Sequence, residues 1–133
     1  DALDMTVAGG EQDTSMARWK WMIENRGVDL VQPDLCYNGG FVRCLRVAQM
    51  AARAGMKVTP HSPKADANAA PMLHFASVVP NLGPHQEFRG EYSPHEGWHE
   101  PALEIKNGCV AAPDGPGLGV SFSDEVLREA VVV

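Results

Sequence analysis

Three short apolar runs, each stopped by glycine or proline and each followed by a longer stretch of helical periodicity, fill the first eighty residues. Thr6-Val7-Ala8 stops at Gly9-Gly10, Val28-Asp29-Leu30-Val31-Gln32 at Pro33, and Met56-Lys57-Val58-Thr59 at Pro60. Asp13 or Thr14 is expected to cap the first helix, because a side-chain oxygen there accepts bonds from unpaired first-turn N–H groups. That helix should run to about Asn25 and close at Gly27, a residue suited to the left-handed position after a helix. Gly39-Gly40 opens a second helix, in which Phe41, Cys44, Leu45, Ala48, Ala51 and Ala52 recur as an apolar stripe. Gly55 ends it. A third helix is expected from Asp66 to Val78, before Pro80, with Gln86-Glu87-Phe88 as a further short strand. Strands alternating with helices at this spacing indicate parallel pairing through right-handed crossovers. Strands this short suit a barrel better than a wide open sheet.

After Glu87 the texture changes. Residues 89–101 have no periodicity and read as a loop, with Trp98 a candidate anchor. Leu103-Glu104-Ile105 and Cys109-Val110-Ala111 flank Lys106-Asn107-Gly108, a hairpin whose Asn-Gly supplies positive φ. A turn-rich link over Pro113–Gly119 leads to Ser123, expected to cap a last helix reaching about Ala130. The expected organisation is therefore βα units over residues 1–88 and an irregular loop, hairpin and tail over residues 89–133.

The net charge of −6 disfavours binding to phosphate backbones, so nucleic acid is not an expected partner. No run of 18 apolar residues is present, so no membrane span is expected. The three cysteines, Cys36, Cys44 and Cys109, form no CxxC pair, and an odd count argues against a disulfide framework. They read as reduced thiols in a cytoplasmic protein. The first residues, Asp1-Ala2-Leu3-Asp4, lack both an initiator Met and the layout of a signal peptide, which leads to the expectation of a fragment, a processed product or a chain whose earlier part is missing.

Glu11, Asp34 and His61 each follow the end of one of the three strands, and Glu87 stands at the fourth. In a (β/α) barrel these ends converge on one mouth, where active sites are built. Singly, each residue has an ordinary reading: a solvated acid near a helix start, a turn residue after proline, a surface histidine. The repetition at matching points of consecutive units is what makes them candidates. His74 reads as structural, and Trp19 and Trp21 as packing residues. His85, His95 and His99 fit no zinc spacing.

Five stretches carry a family resemblance: Val7-Ala8-Gly9-Gly10-Glu11, Val28 through Asp34, Asn38-Gly39-Gly40, Thr59-Pro60-His61-Ser62, and Pro113 through Val120. In this order they resemble the mandelate racemase branch of the enolase superfamily. The resemblance implies an α/β fold that is the C-terminal half of a (β/α)7β or (β/α)8 barrel, strands five to eight, with a tail that packs on a capping domain. It implies that Glu11 is one carboxylate ligand of an essential Mg²⁺, an ion that prefers oxygen donors. It implies that His61 is a general acid/base oriented by Asp34, and that Glu87 is the eighth-strand acid that hydrogen-bonds the substrate carboxylate. Glu91 competes for that last role, and the extended stretch Ser62 to Asn68 is expected to bring Lys64 toward a polyhydroxy acid.

The reaction implied is removal of the proton α to a carboxylate, with dehydration of an acid sugar the leading expectation and racemisation or epimerisation of a hydroxy acid the alternative. The family's Lys-x-Lys pair and two other metal carboxylates belong upstream of Asp1, so this chain alone is expected to be inactive, a structural half-barrel needing its N-terminal half. The expected partners are that half, a small carboxylate substrate and further copies in a homo-oligomer.

Overall fold

A computed structural model describes residues 3–89 and 97–131 of the 133-residue chain. The chain divides into two compact units, residues 1–62 with 75–87, and residues 63–74 with 88–133.

The first unit is a parallel α/β layer. Its elements are β1 (Ala8–Gly9), α1 (Met16–Glu24), β2 (Leu30–Val31), α2 (Phe41–Arg53) and β3 (Lys57–Val58), with the three strands in the order β1-β2-β3. Both pairs are parallel, Ala8 opposite Leu30 and Leu30 opposite Lys57. A single parallel bridge from Val58 to Leu82 adds a fourth strand position, held by Val58 N–H to the Asn81 carbonyl and Gly83 N–H to the Val58 carbonyl. The fourth strand was expected at Gln86-Glu87-Phe88, and the pairing lies instead at Asn81–Gly83. Gly83 permits this close approach, since a Cβ there would stand 2.6 Å from the Thr59 hydroxyl. Pro84 then has no N–H to continue the ladder.

Ser15 caps α1, accepting from the Arg18 N–H, in place of the expected Asp13 or Thr14. The left-handed residue after the helix is Arg26 (φ 51°), not Gly27, because Arg26 ties that turn down with a guanidinium bond to the Ala54 carbonyl. Gly40 (φ 86°) starts α2 and Gly55 (φ 69°) follows it, as expected. The buried face of α2 is Cys44, Val47, Ala48 and Ala51; Phe41 and Ala52 turn outward. With Trp19, Ile23, Val31, Met56, Val58 and Phe75 these residues make the core. Trp19 is fully buried, whereas Trp21 is 63% exposed, since residues two apart on a helix point to different sides.

The second unit contains a 3-10 turn over Asp66–Ala69, the first part of α3 (Ala70–Val78), whose residues from Phe75 on belong to the first unit, then β4 (His99–Glu100), β5 (Ser121–Phe122) and α4 (Asp124–Glu129). His99 and Glu100 pair antiparallel with Phe122 and Ser121, so part of the expected 89–101 loop is a strand. Lys106 and Cys109 bridge across Asn107 and Gly108, both at positive φ, so the expected turn forms, but the runs 103–105 and 109–111 expected to flank it are not strands and this bridge is isolated. Ser123 caps α4 through the Val126 N–H. His74 holds the Leu118 carbonyl, a structural bond. Among the described residues no helix is long and apolar enough to cross a membrane.

Candidate active site

Parallel strands place their C-terminal ends on one side of the layer. The ladder continues past the strands as Gln32 N–H to the Gly9 carbonyl, Thr59 N–H to the Val31 carbonyl and His61 N–H to the Pro33 carbonyl at 3.2 Å. Glu11, Asp34 and His61 therefore leave the layer side by side.

Asp34 is 1% exposed. One carboxylate oxygen, Oδ1, accepts the backbone N–H groups of Cys36 and Tyr37, a tight turn that an aspartate after proline is suited to make. The other, Oδ2, lies 2.9 Å from His61 Nδ1. An ionised carboxylate only accepts, so opposite ionised Asp34 a neutral ring carries its proton on Nδ1 and its lone pair on Nε2.

Nε2 faces two more acids. Glu11 Oε2 lies 3.1 Å away and Glu87 Oε2 4.0 Å away. With Nδ1 already donating, a hydrogen bond from Nε2 to Glu11 needs the imidazolium form. Glu87 is held independently: Oε2 accepts the Ser62 N–H at 2.7 Å, and Oε1 lies 3.4 Å from the Gln32 amide nitrogen. Glu11 and Glu87 are partly open to solvent, at 48% and 38%, while the His61 side chain is 12% exposed. The Tyr37 ring lies nearly parallel to the imidazole, centroids 6.4 Å apart.

All four predicted residues thus meet at one strand-end mouth. Glu91 and His95 lie outside the described residues. Sequence reasoning missed Gln32, Tyr37 and Ser62 as neighbours of the acids; an amide at the end of an otherwise apolar strand was the one available signal, and the Tyr37 contact had none.

Below the mouth runs a buried polar chain. The Trp19 indole N–H donates to Asn38 Oδ1 at 3.1 Å, Asn38 Nδ2 to Cys44 Sγ at 3.4 Å, and Cys44 Sγ to the Asp34 carbonyl at 3.6 Å. Burial pushes the Cys44 thiol above its ordinary range, which keeps it protonated and able to donate.

Glu11 offers a hard carboxylate oxygen at the open side of this cluster, 48% exposed, the donor type that Mg²⁺ takes. Among the described residues no three His, Cys, Asp or Glu side chains converge in a way that holds a metal ion. The residues present therefore fit one corner of a magnesium site, and a full coordination shell needs oxygen donors from elsewhere.

The profile of the enolase C-terminal domain-like family matches residues 1–126. D-galactarolactone cycloisomerase of Agrobacterium fabrum is 37% identical over 92% of the chain, which covers 35% of that enzyme. Arabinonate dehydratase of Saccharolobus solfataricus is 29% identical over 97% of the chain and 34% of the enzyme. The crystal structure of L-talarate dehydratase from Polaromonas, complexed with Mg and L-glucarate, superposes with a TM-score of 0.75 at 28% identity, over 96% of this chain and 33% of that one. The chain thus spans about a third of the length of the relatives it matches.

Proposed function

The chain belongs to the enolase C-terminal domain-like family, and from that premise we propose that it supplies the acid–base side of an enzyme that removes the proton α to a carboxylate and dehydrates an acid sugar. The observation that carries this reading is His61, fixed by buried Asp34 through Nδ1 and presenting Nε2 to the open mouth between Glu11 and Glu87.

In this reading residues 1–88 are strands five to eight of the barrel with their helices, and residues 89–133 are its irregular loop and tail. His61 Nε2 takes the α-proton, and the same nitrogen, once protonated, delivers it to the departing β-hydroxyl. Asp34 holds the ring in the one tautomer that leaves Nε2 free and stabilises the imidazolium that forms. Glu87, fixed by Ser62, contacts the substrate carboxylate. Glu11 is one ligand of Mg²⁺, which when bound supplies positive charge beside the oxygens where negative charge grows. The proposed working unit includes an N-terminal half bearing the Lys-x-Lys pair and two further carboxylates, in a cytoplasmic homo-oligomer whose substrate is a small acid sugar or hydroxy acid.

Support comes from the dehydratases among the relatives, acting on arabinonate and D-galactonate, and from the talarate dehydratase neighbour with its magnesium and glucarate. A second reading, cycloisomerisation of a sugar-acid lactone, is favoured by the relative at 37% identity. The test is a screen of the protein together with its N-terminal half against acid sugars and their lactones, in D₂O. Release of a 2-keto-3-deoxy acid from an open acid sugar supports the dehydratase. Turnover of lactones alone selects the cycloisomerase. Loss of one stereocentre's configuration without elimination indicates racemisation. Deuterium exchange that survives His61→Asn on every substrate stereoisomer removes the base assignment.

A further inference from the structure

Glu11 and Asp34 sit on loops after different strands, yet both lead to one buried pair, Trp19 and Asn38. The Trp19 ring lies directly beneath the Gly10–Glu11 turn: a Cβ on Gly10 would stand 2.5 Å from the ring. The single polar atom of Trp19 donates to Asn38 Oδ1. Asn38 is 1% exposed and also grips the Asp34 turn twice, by its own N–H to the Asp34 carbonyl at 2.8 Å and, through Cys44, by the thiol bond to that same oxygen. Its carbonyl accepts the Arg43 guanidinium at 2.6 Å, and Arg43 also bonds the Thr14 carbonyl on the loop that follows Glu11.

A buried amide is costly unless its donors and acceptors are met, and an apolar side chain would fill the same junction without direction. We propose that Asn38 is a positioning residue that fixes the Glu11 loop and the Asp34–His61 pair in one register. Its meaning for catalysis rests on the function proposed above; the geometry it sets does not.

The test therefore reads geometry without turnover. In ¹⁵N-labelled protein at one fixed pH, the His61 Nδ1–H resonance and its exchange with solvent report the bond to Asp34. Asn38→Leu removes both side-chain bonds and strands the Trp19 indole N–H, whose resonance should shift. Cys44→Ala removes only the thiol bridge to Asp34. Each is expected to speed Nδ1–H exchange by roughly tenfold or more, because the bond then opens by local rather than global unfolding. Val47→Ala, which empties space on the same buried face of α2 outside the chain, should leave that exchange unchanged at equal loss of stability. The double variant should exchange no faster than Asn38→Leu alone, since both changes cut one path. If Asn38→Leu and Cys44→Ala behave like Val47→Ala, Asn38 is only a packing residue and the inference fails. If Asn38→Leu does not fold, Cys44→Ala decides by itself.

Discussion

His61 Nδ1 stands 2.9 Å from Oδ2 of Asp34, whose other oxygen is already occupied by two backbone N–H groups of its own turn. The carboxylate cannot rotate without giving up those bonds, so the imidazole inherits the rigidity of the turn. Asp34→Asn keeps the shape but lets the amide donate to Nδ1, which moves the ring proton to Nε2 and blocks the base. Deuterium exchange at the substrate α-carbon should fall by about 10²–10⁴-fold, the usual worth of a positioned general base. Exchange within a few-fold of the parent would show that Asp34 does not set the tautomer.

If Glu11 is a magnesium ligand as proposed, Glu11→Gln removes that carboxylate donor while keeping a similar shape. Magnesium affinity of the assembled enzyme should weaken by about tenfold or more, since ligand charge dominates binding of hard cations. Titration calorimetry reads this directly. Equal affinity in parent and variant would place the ligand elsewhere.

Much of this site was legible because strand ends are marked by glycine and proline, and parallel pairing forces the residues after them to one side. Glu11, Asp34 and His61 were found that way. The fourth strand was not, because a single bridge at Leu82 leaves no periodicity to read, and Gly83 and Pro84 look like any turn. Ser15 and Arg26 escaped for a related reason: Ser15 stands two residues from Asp13 and next to Thr14, both good caps, and Arg26 is fixed in its left-handed turn by a bond to distant Ala54. In the sequence Asn38 stands out only as part of Asn38-Gly39-Gly40; nothing local to it announces Trp19 as a partner.

Gly10 is where the backbone most needs a missing side chain. With φ at +96° and the Trp19 ring 2.5 Å from an added Cβ, Gly10→Ala combines backbone strain with overlap against a fully buried ring. A loss of roughly 2–4 kcal/mol is expected, measured as a lower urea midpoint. An unchanged midpoint would mean that the turn re-forms at no cost.

The thiols should separate cleanly. Cys36 and Cys109 are exposed and Cys44 is buried, so a thiol reagent should label two groups at once and the third only on unfolding. Burial, the largest influence on Cys44, raises its thiol, so the folded form keeps a proton that the unfolded chain loses at alkaline pH. Stability should therefore decline as pH rises through the ordinary thiol range, and Cys44→Ala should flatten that part of the curve. Three equally fast thiols in the folded protein would contradict the buried chain.

Glu87 and Glu91 were rivals for the eighth-strand acid, and the two make opposite predictions. Glu87 sits 4.0 Å from His61 Nε2 and is anchored by the Ser62 N–H, so it can meet a substrate carboxylate whose α-proton faces the histidine. Glu87→Ala should lower kcat and kcat/KM together by about 10–100-fold, the worth of one hydrogen bond to a charged group made as the proton leaves. Glu87→Gln keeps an acceptor for Ser62 and a donor for the substrate, and should retain most of that activity. Glu91→Ala should change neither constant. A fall confined to the Glu91 variant would transfer the role, and with it the register of the last strand.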